Sequence, residues 1–202
     1  MGRHALILGL TGGYCTGKST AAAVLQDEGW TIVDVDALGH RALELSAIAV
    51  ADILGPQVLG PDGRPDRRAI GAIVFADPRL LERYEAVVHP AMNALVADAV
   101  AGAGDRVCVD AALLYRLPVV GDCDAIIEIR TSLVVRLFRA WFRDGLGPLP
   151  ALARIARQRQ LWAAGNRFDG VRYVVWNRGD RGGLERRLHN VIKSIFSARG
   201  LN

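Results

Sequence analysis

Residues 5–10, Ala-Leu-Ile-Leu-Gly-Leu, form an unbroken apolar run too short for a helix. That pattern predicts a strand buried on both faces. After a glycine-rich interval, residues 18–29 place alanines and a leucine at helical spacing, with Gly29 positioned to cap the helix end. "WTIVDVD", residues 30–36, is rich in β-branched side chains and reads as a second strand. Strand, helix and strand within about 35 residues make a βαβ unit, with a right-handed crossover expected.

The periodicity from about residue 37 to 104 is mostly helical, through "HRALELSAIAVADIL", "RRAIGAIVF" and "DPRLLERYEAVV". Pro56, Pro61 and Pro65 mark a loop, and Pro90 is expected to break or kink its helix. So long a helical excursion exceeds what a crossover needs, and residues 44–104 read as an inserted substrate-binding region. Strand patterns return with "RVCVDAALL", ending near Asp110, with residues 123–129, and with "VRYVVWN". "TSLVVRLFRAWFRD" is helical with Thr131 as its expected N-cap, and an arginine-studded helix follows Gly145, Gly147, Pro148 and Pro150. A closing amphipathic helix begins near Gly183. The predicted class is α/β, a parallel sheet flanked by helices in a single domain.

Composition narrows the class. With 202 residues and 51% hydrophobic content, the chain can bury a sizeable core, and its mean hydropathy of +0.20 argues against disorder. No apolar run approaches the roughly 20 residues of a membrane span, and no signal-peptide cleavage pattern is present. Three cysteines without metal-ligand spacing argue against a disulfide framework. A reduced, cytoplasmic protein is expected. The net charge of +4 comes almost wholly from arginine and suits anionic small molecules as well as nucleic acid.

The chain has two lysines, and one of them, Lys18, sits in "GLTGGYCTGKST". Gly12, Gly17, Lys18 and Ser19 fit the phosphate-loop spacing G-x-x-x-x-G-K-[ST], between a buried strand and a helix as that motif requires. The backbone N–H groups of Gly12, Gly13, Tyr14, Cys15, Thr16, Gly17, Lys18, Ser19 and Thr20 would then cradle nucleotide phosphates. Lys18 would reach the β/γ-phosphates and Ser19 would ligate Mg²⁺. Cys15 has two readings: a thiol activated by the loop dipoles and Lys18, or a small tolerated side chain.

A phosphate loop alone signals nucleotide binding. A GTPase switch would need N-K-x-D and D-x-x-G at strand ends; "WNRGD" at 176–180 approaches the first, and nothing supplies the second. A small-molecule kinase needs a carboxylate to orient and deprotonate a hydroxyl acceptor. Period-two alternation puts Asp34 and Asp36 on one face of the second strand or its extension, at the edge where open sheets bind ligands. Either could instead cap a helix beginning at Ala37. Arg136, Arg139, Arg143, Arg154, Arg157, Arg159, Arg167 and Arg172 form a basic stretch that suits a lid over transferring phosphate, or a solvated helix face. Trp141, Phe142 and Trp162 leave an RNA-binding reading open.

"GLTGGYCTGKST", "VDVDALGHRAL", "DGRPDRRAIGAIVFADPRLLERYEAVVHPAM" and "VDAALLY" occur in that order and closely resemble dephospho-CoA kinases. The resemblance runs from about residue 6 to 130 and resumes weakly at "WNRGD". It implies a P-loop NTPase core of the nucleoside-kinase type over 1–43, 105–135 and 169–202. It also implies a helical CoA-binding region over 44–104 and a lid over 136–168. The implied reaction passes the γ-phosphoryl of ATP to the 3′-hydroxyl of dephospho-CoA, with Mg²⁺. Residue by residue, Thr11 matches a threonine near the acceptor, Asp36 the base, and Arg143 the lid arginine that stabilises the transferring phosphate. His89 matches a histidine before proline, for either packing or ligand contact, and Asn177 an adenine contact, with Arg178 beside it. Asp110 would hold Mg²⁺ through water or anchor the neighbouring strand. Ala112 and Arg116 depart from the family's usual proline and glutamate in D-x-P-L-L-F-E. The resemblance also implies small-molecule partners only, no membrane or nucleic acid, and a monomer, with an oligomer left open. The alternatives are a kinase for another small hydroxyl acceptor, or a nucleotide-dependent switch or RNA-binding module.

Overall fold

The computed structural model describes residues 5–163 and 168–200, so Arg167 lies outside the described residues. Among the described residues five strands form one sheet: β1 (Leu6–Gly12), β2 (Thr31–Asp34), β3 (Arg106–Asp110), β4 (Ala125–Arg130) and β5 (Val171–Trp176). Their order is β2-β3-β1-β4-β5, so β1 lies at the centre. It runs parallel to β3 from the Leu6–Arg106 pair to Leu10–Asp110, and parallel to β4 from Leu8–Ala125 to Gly12–Ile129. β5 continues the parallel pairing on β4. The apolar run predicted for β1 is buried as expected, with Leu6, Leu8 and Leu10 all in the core. From β1 the chain crosses to β2 at one edge, and β4 and β5 are later added on the other side of β1, so the order reverses beside the central strand.

Helix α1 (Lys18–Asp27) follows β1 and stops at Glu28, with Gly29 one residue beyond at φ +85°, the left-handed turn expected of it. Helices α2 (Val35–Leu45), α3 (Ala47–Leu54), α4 (Arg67–Val74) and α5 (Pro78–Ala101) come next in the chain. The last part of the chain carries α6 (Leu133–Asp144), α7 (Pro148–Ala163) and α8 (Arg181–Ala198). Among the described residues no helix is long and apolar enough to cross a membrane.

The chain divides into two compact units, residues 34–101 and the remainder. The sheet unit packs Leu25 of α1 and Leu184, Leu188 and Ile192 of α8 against Leu8, Leu10, Ile127 and Ile129 of the sheet. The helical unit has its own core, in which Leu43, Val50, Leu54, Val58, Ile70, Val74 and Val88 meet.

Three local expectations change. Pro90 neither breaks nor ends α5, which continues unbroken from Pro78 to Ala101. Proline removes the hydrogen bond to the carbonyl four residues earlier; that residue, Ala86, is exposed like Pro90, so water can take the freed carbonyl. Val88 and Val96, buried on either side, keep the two halves on one core. At the head of α6 the cap is Ser132, whose Oγ accepts from the Val135 N–H at 3.4 Å. Thr131 turns away and donates its hydroxyl to the Asn177 carbonyl at 2.5 Å, tying the end of β4 to the end of β5.

The third change is at the end of β2. The strand stops at Asp34 and α2 begins at Val35, two residues before the expected start. Asp34 is the N-cap, its carboxylate accepting the Ala37 N–H at 3.0 Å, and Asp36 lies in the first helical turn. The two carboxylates therefore do not share a strand face. A favourable cap and a buried Val35 outweigh the alternation that would have continued the strand.

Candidate active site

The loop from Gly12 to Gly17 joins the central strand to α1, and its shape depends on glycine at two places. A Cβ on Gly12 would lie 2.7 Å from the Thr16 hydroxyl and 3.1 Å from the Ile129 carbonyl. Gly17 adopts φ +96° and a Cβ there would collide with the Asn177 amide. The turn between them is closed by Thr16, whose N–H and hydroxyl both donate to the Gly13 carbonyl, at 3.0 and 2.8 Å. Cys15 takes φ +61°, the left-handed region, as a non-glycine residue. Because the N-cap of α1 is Gly17, no side chain covers the first-turn N–H groups, and the helix start is open to an anion.

Lys18 and Asp110 meet here. The Lys18 ammonium lies 2.5 Å from the Asp110 carboxylate, with side-chain exposures of only 15% and 9%. β3 ends at Asp110, paired with Leu10 of β1, so the sheet register places the carboxylate beside the loop. Ser19, the next residue of α1, is exposed. Thr11 is wholly buried, and its hydroxyl donates to the Ala112 carbonyl at 3.5 Å.

Helices α6 and α7 grip the loop through its backbone. Arg136 donates to the Tyr14 carbonyl at 2.7 Å and Arg139 to the Cys15 carbonyl at 3.1 Å. Gln158 accepts the Tyr14 N–H at 2.6 Å and donates to the carbonyls of Gly12 and Ala112, at 3.3 and 3.2 Å. The Trp162 indole N–H also donates to Ala112, at 2.7 Å, and its ring meets Tyr115 edge-on. Burial lowers the pKa of Arg136, a consequence of its position between loop and helix. Cys15 is buried with Ala140 and Ala151, which favours the packing reading of that residue.

Arg143 is bidentate to Asp144, and its guanidinium also lies over the Tyr14 ring. The hydrogen bonds from Arg143, then from Tyr14, hold the Asp144 carboxyl down at about 2. The same pair raises the Arg143 pKa. Asn177 is buried, and its amide is engaged by the loop: Nδ2 donates to the Thr16 carbonyl at 2.9 Å and Oδ1 accepts the Gly179 N–H at 3.0 Å. Its side chain braces the phosphate loop from the end of β5. Arg178 is exposed beside it. Asn177→Ala deletes both bonds and leaves the Thr16 carbonyl short of a donor, at a cost of about 2 kcal/mol. The variant is expected to melt earlier and to show a several-fold higher KM for ATP, measured by thermal denaturation and initial rates.

Thus Thr11, residues 12–20, Asp110, Arg143 and Asn177 all belong to the sheet unit. Asp36, exposed at the start of α2, and His89, half-buried within α5, belong to the helical unit. Sequence reasoning missed Gln158, and read Trp162 only as an aromatic that could serve RNA binding. Nothing in the local pattern separates Gln158 from Gln160; only the docking of α7 on a loop 144 residues away distinguishes them.

The family model for dephospho-CoA kinase matches residues 6–180, a span that includes α6 and α7. A dephospho-CoA kinase from Anaeromyxobacter dehalogenans is 37% identical over 201 residues, covering 96% of this chain and 94% of the relative. One from Thermus thermophilus is 32% identical over 194 residues, covering 96% of this chain and 93% of its own length. Among solved structures, TT1252 from Thermus thermophilus superposes with a TM-score of 0.79 at 31% identity, covering 95% of this chain and 98% of its own. Dephospho-CoA kinase from Campylobacter jejuni shares the fold, with a TM-score of 0.60 at 21% identity over 94% of this chain and 96% of its own. By sequence and fold alike, the chain belongs to the dephospho-CoA kinase family, ATP-dependent kinases that act on a hydroxyl group.

Proposed function

We propose that the chain passes the γ-phosphoryl of ATP to the ribose 3′-hydroxyl of dephospho-CoA, giving ADP and coenzyme A, with the following division of labour. The loop amides and the open start of α1 hold the triphosphate, and Lys18 exchanges Asp110 for phosphate oxygens as ATP arrives. Asp36 orients the 3′-hydroxyl and takes its proton as that oxygen bonds to the γ-phosphorus. The bond from phosphorus to the β–γ bridging oxygen breaks, and ADP leaves with its electron pair. Arg143 and its neighbours in a lid over 136–168 offset the charge spreading over the transferring group. The helical region 44–104 receives dephospho-CoA, with His89 as a candidate contact. Thr11, buried and bonded to the Ala112 carbonyl, serves the acceptor side from the end of β1.

A hydroxyl on Ser19 and a carboxylate on Asp110 are oxygen donors suited to a Mg²⁺ that keeps its remaining sites for water and phosphate. Among the described residues no cluster of three or more His, Cys, Asp or Glu offers a fuller metal cage. Bound there, Mg²⁺ would neutralise phosphate charge. The same reading takes the protein to be cytoplasmic and monomeric, without membrane or nucleic-acid partners. It is supported by the engagement of Arg136, Arg139, Arg143 and Arg154 with the loop, which leaves less charge for a nucleic-acid face.

The observation that carries the proposal is the match of residues 6–180 to a single family, spanning the loop, the helical unit and both lid helices. The test is ADP release measured with dephospho-CoA against a panel of other small hydroxyl acceptors, with GTP tried in place of ATP. Stimulation by dephospho-CoA, with coenzyme A as product, is expected. Preference for another acceptor, or slow GTP hydrolysis that ignores acceptors, would overturn the assignment.

A further inference from the structure

Tyr14 occupies a loop position where the motif asks only for a backbone N–H, yet every polar group it has is engaged by α6 or α7. Its N–H goes to Gln158 at 2.6 Å and its carbonyl to Arg136 at 2.7 Å. Its hydroxyl donates to Asp144. Its ring carries two guanidinium groups, Arg154 at 5.0 Å and Arg143 at 5.6 Å from the centroid. Arg143 closes the circle by its bidentate pair with Asp144. The residue therefore touches both lid helices at once, α6 through Arg136, Arg143 and Asp144, and α7 through Arg154 and Gln158.

From this juxtaposition we infer that the Tyr14 side chain is a positioning residue for phosphoryl transfer, a post on the phosphate loop that docks the lid and sets Arg143 and Arg154 beside the transferring group. Two long arginines on the surfaces of α6 and α7 would otherwise sample many rotamers, and an aromatic face is one of the few neutral surfaces that attracts a guanidinium without neutralising it. That matters for a group whose full charge is needed in the transition state. Asp144 alone would hold Arg143 by pairing its charge. Sharing Asp144 with the Tyr14 hydroxyl and offering the ring as a second seat holds the arginine at the loop while leaving it able to turn to phosphate. The hydrogen bonds from Arg143 and Tyr14 themselves favour the ionised Asp144 carboxylate, which keeps this clamp set. A merely structural role is the competing account, since Tyr14 also packs partly against Cys15, Ala140 and Ala151.

The inference rests on the phosphotransfer reading, and its test separates the two. Tyr14→Phe keeps ring and packing but loses the bond to Asp144; Tyr14→Leu keeps apolar packing and loses the ring. The full chain is assayed at saturating ATP and dephospho-CoA, and amide hydrogen exchange of residues 133–163 is followed with a non-hydrolysable ATP analogue bound. Tyr14→Leu is expected to lower kcat by about tenfold, with the KM for ATP within about twofold, a change of about 1.4 kcal/mol in the barrier. Protection of 133–163 should fall in the same variant. Tyr14→Phe should recover most of both. In an Arg154→Ala background, Tyr14→Leu should cost clearly less than it does alone. Unchanged kcat and protection in Tyr14→Leu would overturn the inference, as would equal losses in the Phe and Leu variants. If the unaltered chain shows no dephospho-CoA-dependent ADP release, the acceptor assignment fails, whereas the exchange comparison still judges Tyr14.

Discussion

Asp36→Asn is expected to lower kcat by about a thousandfold while leaving the KM for ATP within about twofold, in line with the loss of a general base. The amide keeps the size and shape of the carboxylate and so should not disturb α2. On the proposed mechanism, what it removes is the ability to accept a proton from the attacking hydroxyl. The structure sharpens the choice between the two acidic residues of "IVDVD". Asp34 is committed to the Ala37 N–H at 3.0 Å as the helix cap, whereas Asp36 stands exposed in the first turn of the same helix. The control is Asp34→Asn, which can still cap and should retain most activity. Asp34→Ala should instead lose about 1 kcal/mol of stability with its cap. Initial rates over a range of ATP, together with thermal melts, separate these cases. Turnover in Asp36→Asn equal to that of the unaltered chain would remove the residue from the mechanism.

What could be read from the sequence was local. The phosphate loop, the strand before it and the helix after it involve residues within about one βαβ unit, where spacing and conformation are tied directly. Gly29 was legible for the same reason, since a left-handed residue after a helix selects glycine. The boundary after β2 was not, because alternation and capping compete over the same residues, and burial of Val35 tips the balance. Pro90 does not break α5 because its cost falls on the solvent side of the helix, where water compensates. The greatest loss of information concerned the lid. That the stretch is arginine-rich was plain, yet which arginines reach the loop depends on the docking of α6 and α7. Arg136 and Arg139 are aimed at backbone carbonyls, while Arg143 and Arg154 converge on Tyr14. Asn177 likewise shows its role as a loop brace only once β5 is set beside β4 and Thr131 has tied their ends.

Lys18→Met is expected to abolish practical turnover, with kcat/KM falling by about a thousandfold or more, and also to destabilise the protein before any substrate is added. The two effects have different origins. The first is the loss of a cation at the β/γ-phosphates, where removing a single stabilising donor already costs about 10²–10³. The second arises because the 2.5 Å pair with Asp110 is largely shielded from solvent, so methionine leaves a buried carboxylate without that partner. Removing one member of a buried pair costs about 3 kcal/mol, which for a chain of this length corresponds to a fall of roughly 6–12 °C in Tm. Adding Asp110→Asn tells the two apart. In the double variant the buried charge is gone, so much of the lost Tm should return, while activity should not, because the Lys18 ammonium is not restored. Asp110→Asn alone should fold well and bind ATP, but should need more Mg²⁺ to reach half-maximal rate if the carboxylate helps to hold that ion. Recovery of both Tm and turnover in the double variant would mean that Lys18 matters only as Asp110's counter-ion. Such a result would remove Lys18 from the proposed mechanism and leave it a structural partner of Asp110.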